Sequence, residues 1–120
     1  MDFTKYEFVY GAEVHFAGEE KFPGGLMKEM DKKGRAPFDA MCWVLAAMAE
    51  HAELLRRDLG HDKREVPSAD YFKLHMKLKD IMPAKQIILN CIAKGLRGET
   101  DEDEEVDEVL AEIEKKADGD

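Results

Sequence analysis

The chain has 120 residues, 44% of them hydrophobic and 38% charged, with a net charge of −9. That length supports one domain with one real core, and the acidic balance argues against nucleic acid and anionic membrane surfaces as ligands. The longest apolar run, residues 40–49, is far short of the roughly twenty residues that a bilayer crossing needs, and Met1-Asp2-Phe3-Thr4-Lys5 lacks the basic-then-apolar character of a signal peptide. The expectation is therefore a cytoplasmic protein.

The first segment reads as strand. Tyr6, Phe8 and Tyr10 alternate with Lys5, Glu7 and Val9; Gly11-Ala12-Glu13 punctuates; and Val14 and Phe16 resume the alternation around His15. This pattern predicts an N-terminal β-hairpin whose aromatic face lies on helices or pairs with another copy. Phe22-Pro23-Gly24-Gly25 is a turn cluster, and Leu26, Met27 and Met30 predict a short helix stopped by Gly34.

The spine follows. From Pro37, residues Phe38, Met41, Leu45, Met48, Ala52, Leu55 and Leu59 recur at steps of three and four, which draws one apolar stripe along a long helix. Trp43, Val44, Ala47 and Leu54 add a second apolar flank, so the helix must be wrapped by other elements. Gly60 supplies its stop and residues 61–66 a polar loop.

Pro67 and Ser68 open a third helix, with Ser68 as N-cap and Asp70 in the first turn. Tyr71, Leu74, Leu78 and Ile81 form its expected stripe, and Ala84, Ile87, Ile88, Cys91, Ile92 and Leu96 continue a buried face to about Gly98. Pro83 ends or kinks that run, leaving two helices or one bent helix as equal readings. Residues 99–105 are a charged linker, and Val106, Val109, Leu110, Ile113 and Ala117 draw a narrow stripe on a last amphipathic helix. Residues 99–120 hold twelve of the 27 acidic residues and two of the 18 basic ones, a net charge of −10, which leaves residues 1–98 at +1. The fold class is thus mainly α (α+β): an N-terminal β-hairpin on a bundle of about four to five helices in residues 1–98, then an acidic segment, 99–120.

No reactive constellation stands out. Asp101, Asp103, Glu105 and Glu112 match the spacing of a calcium loop, but Val106 occupies the position that needs a glycine. His51-Ala52-Glu53 has the His-x-Glu order of zinc deaminases without the Pro-Cys-x-x-Cys that completes the ligands. Glu53 is expected to pair with Arg57 one turn on. Neither His61 nor His75 has ligands at a zinc spacing, and His15 falls opposite the aromatic face. Cys42 and Cys91 sit in apolar helical patterns as buried free thiols without a cationic neighbour to activate them. Pro23-Gly24-Gly25 lacks the Lys-Ser or Lys-Thr of a phosphate loop. The expectation is no catalytic site, no metal and no cofactor. Seven methionines, mostly on apolar stripes, suit a core or an adaptable protein-binding surface, and the residues singled out for protein binding are Met41, Met48, Leu55, Val106, Val109, Leu110 and Ile113.

The layout, an aromatic β-hairpin within Phe3 to Phe16, several amphipathic helices and a charged C-terminal extension, resembles the tail assembly chaperones of long-tailed bacteriophages and prophages. The resemblance covers most of the chain and carries no diagnostic motif. It implies a non-enzymatic protein of the bacterial host cytoplasm that oligomerises, coats the apolar tape-measure protein and recruits tail-tube subunits. It also implies a frameshifted longer product, and Glu114-Lys115-Lys116 is compatible with a slippery A-AAA-AAG. The alternative is a small phage-encoded regulatory or inhibitory module that blocks one folded partner.

Overall fold

The repeat that begins at Pro37 becomes the central helix of a helical bundle. The computed structural model describes residues 1–97; the expected last helix, with Val106, Val109, Leu110 and Ile113, lies outside them, as does the calcium-loop spacing. In chain order, a 3-10 turn (Phe3–Lys5) leads through an extended stretch to α1 (Ala12–Lys21), α2 (Leu26–Met30), α3 (Ala36–Asp58), α4 (Ala69–His75), a second 3-10 turn (Leu78–Asp80) and α5 (Ile81–Arg97).

Helix α3 starts where Pro37 costs nothing, since the first turn has no acceptor for its missing N–H. Asp39 in its first turn and Arg56 and Arg57 in its last complement the helix dipole. The other four helices all pack on it. Met41, Leu45, Met48 and Ala52 of the expected stripe are buried, together with Cys42 and Val44 from its flanks. The end is a Schellman turn: Gly60 at φ +94° donates to the Arg57 carbonyl at 2.9 Å, and His61 reaches back to the Arg56 carbonyl at 3.1 Å.

The N-terminal β-hairpin is not formed, and among the described residues there is no strand. The alternation was informative only as far as Tyr10. Residues 6–10 are unpaired extended chain, with Tyr6, Phe8 and Tyr10 half-buried and Glu7 and Val9 exposed. Their partner is a helix: the Val9 N–H donates to the Met48 carbonyl at 3.2 Å, and Tyr6 and Phe8 lie against Phe72 with ring centroids 5.8 and 6.2 Å away. Gly11 then caps α1, where the chain changes period. Val14 and Gly18, four apart, face the bundle, while Phe16 points to solvent. Two apolar residues at a spacing of two satisfied a strand template that the helical pair Val14 and Gly18 contradicts.

Ser68 caps α4 as expected, its Oγ accepting from the Tyr71 N–H at 3.1 Å. The stripe expected beyond it does not form. Phe72 is the buried residue of α4, and Tyr71, Leu74 and Leu78 are exposed. The helix ends at His75, because Met76 turns extended and interrupts the three-to-four register. Asp80 restarts the chain: one carboxylate oxygen accepts from the Lys77 N–H at 2.8 Å and the other from the Met1 ammonium at 3.0 Å. Pro83 therefore sits in the first turn of α5, where no helical hydrogen bond is lost, and residues 69–97 form two helices separated upstream of it. Farther along α5, Gly95 permits close approach of the extended stretch; a Cβ there would stand 2.3 Å from the Tyr10 carbonyl oxygen.

Candidate protein-binding surface

The described residues that sequence reasoning marked for binding divide between core and surface. Met41 and Met48 are 3% and 0% exposed and belong to the core, whereas Leu55 is exposed. Burial of the two methionines follows from the number of helices that wrap α3: the stripe that first drew attention is consumed by the fold itself.

The second flank of α3 stays partly open. Trp43, Ala47, His51 and Leu54 of α3 line a groove together with Val14 and Ala17 of α1. The groove has a volume of about 430 Å³. Trp43 is half-buried, held edge-on by Phe22 at 5.4 Å and 90°. Its alanines leave room for another backbone to approach closely, and the exposed Glu13 and Glu50 also line it. Val44, the fourth residue of that flank, is fully buried. Sequence reasoning found the α3 wall but not its counterpart, because α1 read as strand; the spacing of Val14, Ala17 and Gly18 was the available signal.

Exposed apolar side chains also stand along the turn from α4 to α5. Leu74, Leu78 and Met82 are 79%, 92% and 72% exposed, well beyond an ordinary scattering of single surface leucines. Lys73, Lys77, Lys79 and Lys85 alternate with them in the chain.

Polar chemistry is committed to structure. Glu53 is buried on α3, where it accepts from the Arg64 N–H at 2.6 Å and from Arg57 Nε at 2.9 Å and also pairs with Arg56. The Arg64 hydrogen bond, with those from Arg57 and Arg56, outweighs the opposing effect of burial and holds the carboxyl at a pKa of about 2. A carboxylate locked as an anion by three donors anchors the loop after α3 and is unsuited to moving protons at neutral pH. The small cleft beside it, about 190 Å³, is lined by Glu53, Arg56 and Arg64 together with residues of the N-terminal 3-10 turn. Both cysteines are free, Cys42 buried as expected but Cys91 only half-buried; burial pushes the Cys42 thiol up to about 11 and raises that of Cys91. His15 shares a 2.7 Å hydrogen bond with the Tyr10 hydroxyl, and the His51 ring packs against Gly11. Among the described residues, no three metal-ligating side chains converge and no helix is long and apolar enough to cross a membrane. Comparison with family models, with curated proteins and with solved structures found no match.

Proposed function

We propose that this chain is a non-enzymatic protein-binding protein that holds an apolar helical segment of a client in the groove between α1 and α3. In this reading it serves as a tail assembly chaperone of a phage or prophage. The observation that carries the reading is the groove itself: a largely apolar trough lined by alanines, Trp43 and Leu54, with Glu13, Glu50 and His51 as its polar lining. Helix-in-groove recognition needs such a surface, where an amphipathic helix inserts its apolar face and small floor residues set the depth. The acidic lining at Glu13 and Glu50 favours client segments with basic flanks.

The tape-measure protein is the client that the resemblance implies, with tail-tube subunits recruited afterwards and several chains coating one client without ATP. Co-expression of the full chain with the tape-measure protein encoded beside it, followed by native mass measurement, tests this directly. Many copies on one long client support the chaperone reading. A tight one-to-one complex with a folded target, and no tape-measure association, would replace it with the inhibitory module. In the gene, an overlapping downstream frame at the Glu114-Lys115-Lys116 codons is expected.

A further inference from the structure

The corner between α4 and α5 and the acidic end of the chain are complementary, and we propose that residues 99–117 dock in cis on Leu74, Leu78 and Met82. The corner offers three protruding apolar side chains interleaved with Lys73, Lys77, Lys79 and Lys85. Asp80, the one acidic residue between Lys73 and Lys85, is buried against the Met1 ammonium; Lys73 and Lys85 lie 3.8 and 3.9 Å from Asp39 and Asp31, so Lys77 and Lys79 supply most of the corner's positive charge. Residues 99–120 carry the matching chemistry: a net charge of −10 around the apolar positions Val106, Val109, Leu110 and Ile113. Helix α1, with Glu13, Glu19 and Glu20, repels the same segment.

Reach decides between this corner and a more distant site. Helix α5 starts at the corner and carries the chain away from it, a rise of roughly 25 Å over its length. The linker residues 98–105 span up to roughly 26–29 Å when extended. The chain can therefore double back along α5 and deliver Val106 to Met82 with little slack. The linker must be drawn nearly straight to do so, which puts the segment's local concentration below the millimolar value of a relaxed tether but above micromolar protein. At micromolar protein, the chain's own segment thus outcompetes that of a second copy for the same corner. The docked segment covers an apolar surface that would otherwise promote clumping, and it leaves the α1–α3 groove open. The contact does not depend on which client that groove takes.

Zero-length carbodiimide cross-linking of the full chain tests the proposal, using an equimolar mixture of isotopically light and heavy protein at low salt. The expected products join Lys77, Lys79 or Lys85 to acidic residues of 99–114 in light–light and heavy–heavy peptides. Leu78→Asp and Leu110→Asp, made separately, should each lower that yield by about threefold or more, since each removes one apolar contact. Circular dichroism of Leu78→Asp should be unchanged, because Leu78 is almost wholly exposed. Products dominated by light–heavy pairs would assign the corner to a second copy and overturn docking in cis. Absence of these links, links chiefly to Lys28, Lys33 or Lys63, or yields indifferent to both leucine substitutions would overturn it equally. Loss of client binding with these intramolecular links intact would instead refute the groove reading alone.

Discussion

Glu53 shows how far a single carboxylate can organise this fold. Its oxygens gather Arg56, Arg57 and the Arg64 N–H, which ties the loop after α3 back to the helix. Glu53→Gln keeps the shape but removes the charge that these donors face, and a fall in melting temperature of at least about 5 °C at pH 7 is expected. The sign of the pH effect follows from the depressed pKa. The contribution is complete above the ordinary value of 4.5, and it is lost as the pH drops toward about 2. Thermal melts between pH 6 and pH 2 should therefore show a steeper acid loss for the native chain than for Glu53→Gln. Cys42 supplies a second check. Complete burial and a thiol pushed up to about 11 should leave it unreactive toward a disulfide reagent at pH 8 until the chain unfolds. The pairing of Glu53 with Arg57 was legible from its i,i+4 spacing. The Arg64 N–H was not, because a loop residue eleven positions on has no periodic relation to the helix.

Among the elements, those with local punctuation were legible and those set by tertiary partners were not. Helix α3 declared itself through Pro37, the three-to-four stripe and Gly60, and Ser68 declared the start of α4. Gly60→Ala should cost about 1 kcal/mol in chemical denaturation, because it forces an L side chain into the left-handed region at φ +94°. The extended stretch 6–10 has the alternation of a strand, yet its hydrogen-bonding partner is the Met48 carbonyl in the middle of a helix, which no local pattern announces. Pro83 was informative about a helix boundary but wrong about which side it lay on. Its place in the first turn of α5 predicts that Pro83→Ala changes stability by no more than about 0.5 kcal/mol. Gln86→Pro, one turn further in, should cost about 3 kcal/mol by breaking the hydrogen-bond ladder.

At the scale of the whole molecule, helices α1–α5 of the described residues spend the main apolar stripe of α3 on their own core and leave other apolar surfaces outside it. Composition and periodicity could mark apolar helical faces but not say which would be consumed. Met41 and Met48 went inside, while Trp43, Ala47 and Leu54 remained at a groove whose second wall was hidden in a segment read as strand. The corner leucines were expected to be part of a buried stripe and emerged as surface, because α4 stops at His75. In the proposed reading, function at this scale is association, with the α1–α3 groove holding a client helix.

Trp43, the only tryptophan in the chain, stands in that groove and reports on it without a label. Titration of the full chain with a tryptophan-free apolar helical segment of the proposed client should shift its emission to shorter wavelength in a saturable curve. Leu54→Glu, an exposed position whose substitution leaves the melting temperature within about 2 °C, should weaken that association tenfold or more. A complex that forms with no change in Trp43 emission, and with equal affinity in Leu54→Glu, would contradict the account.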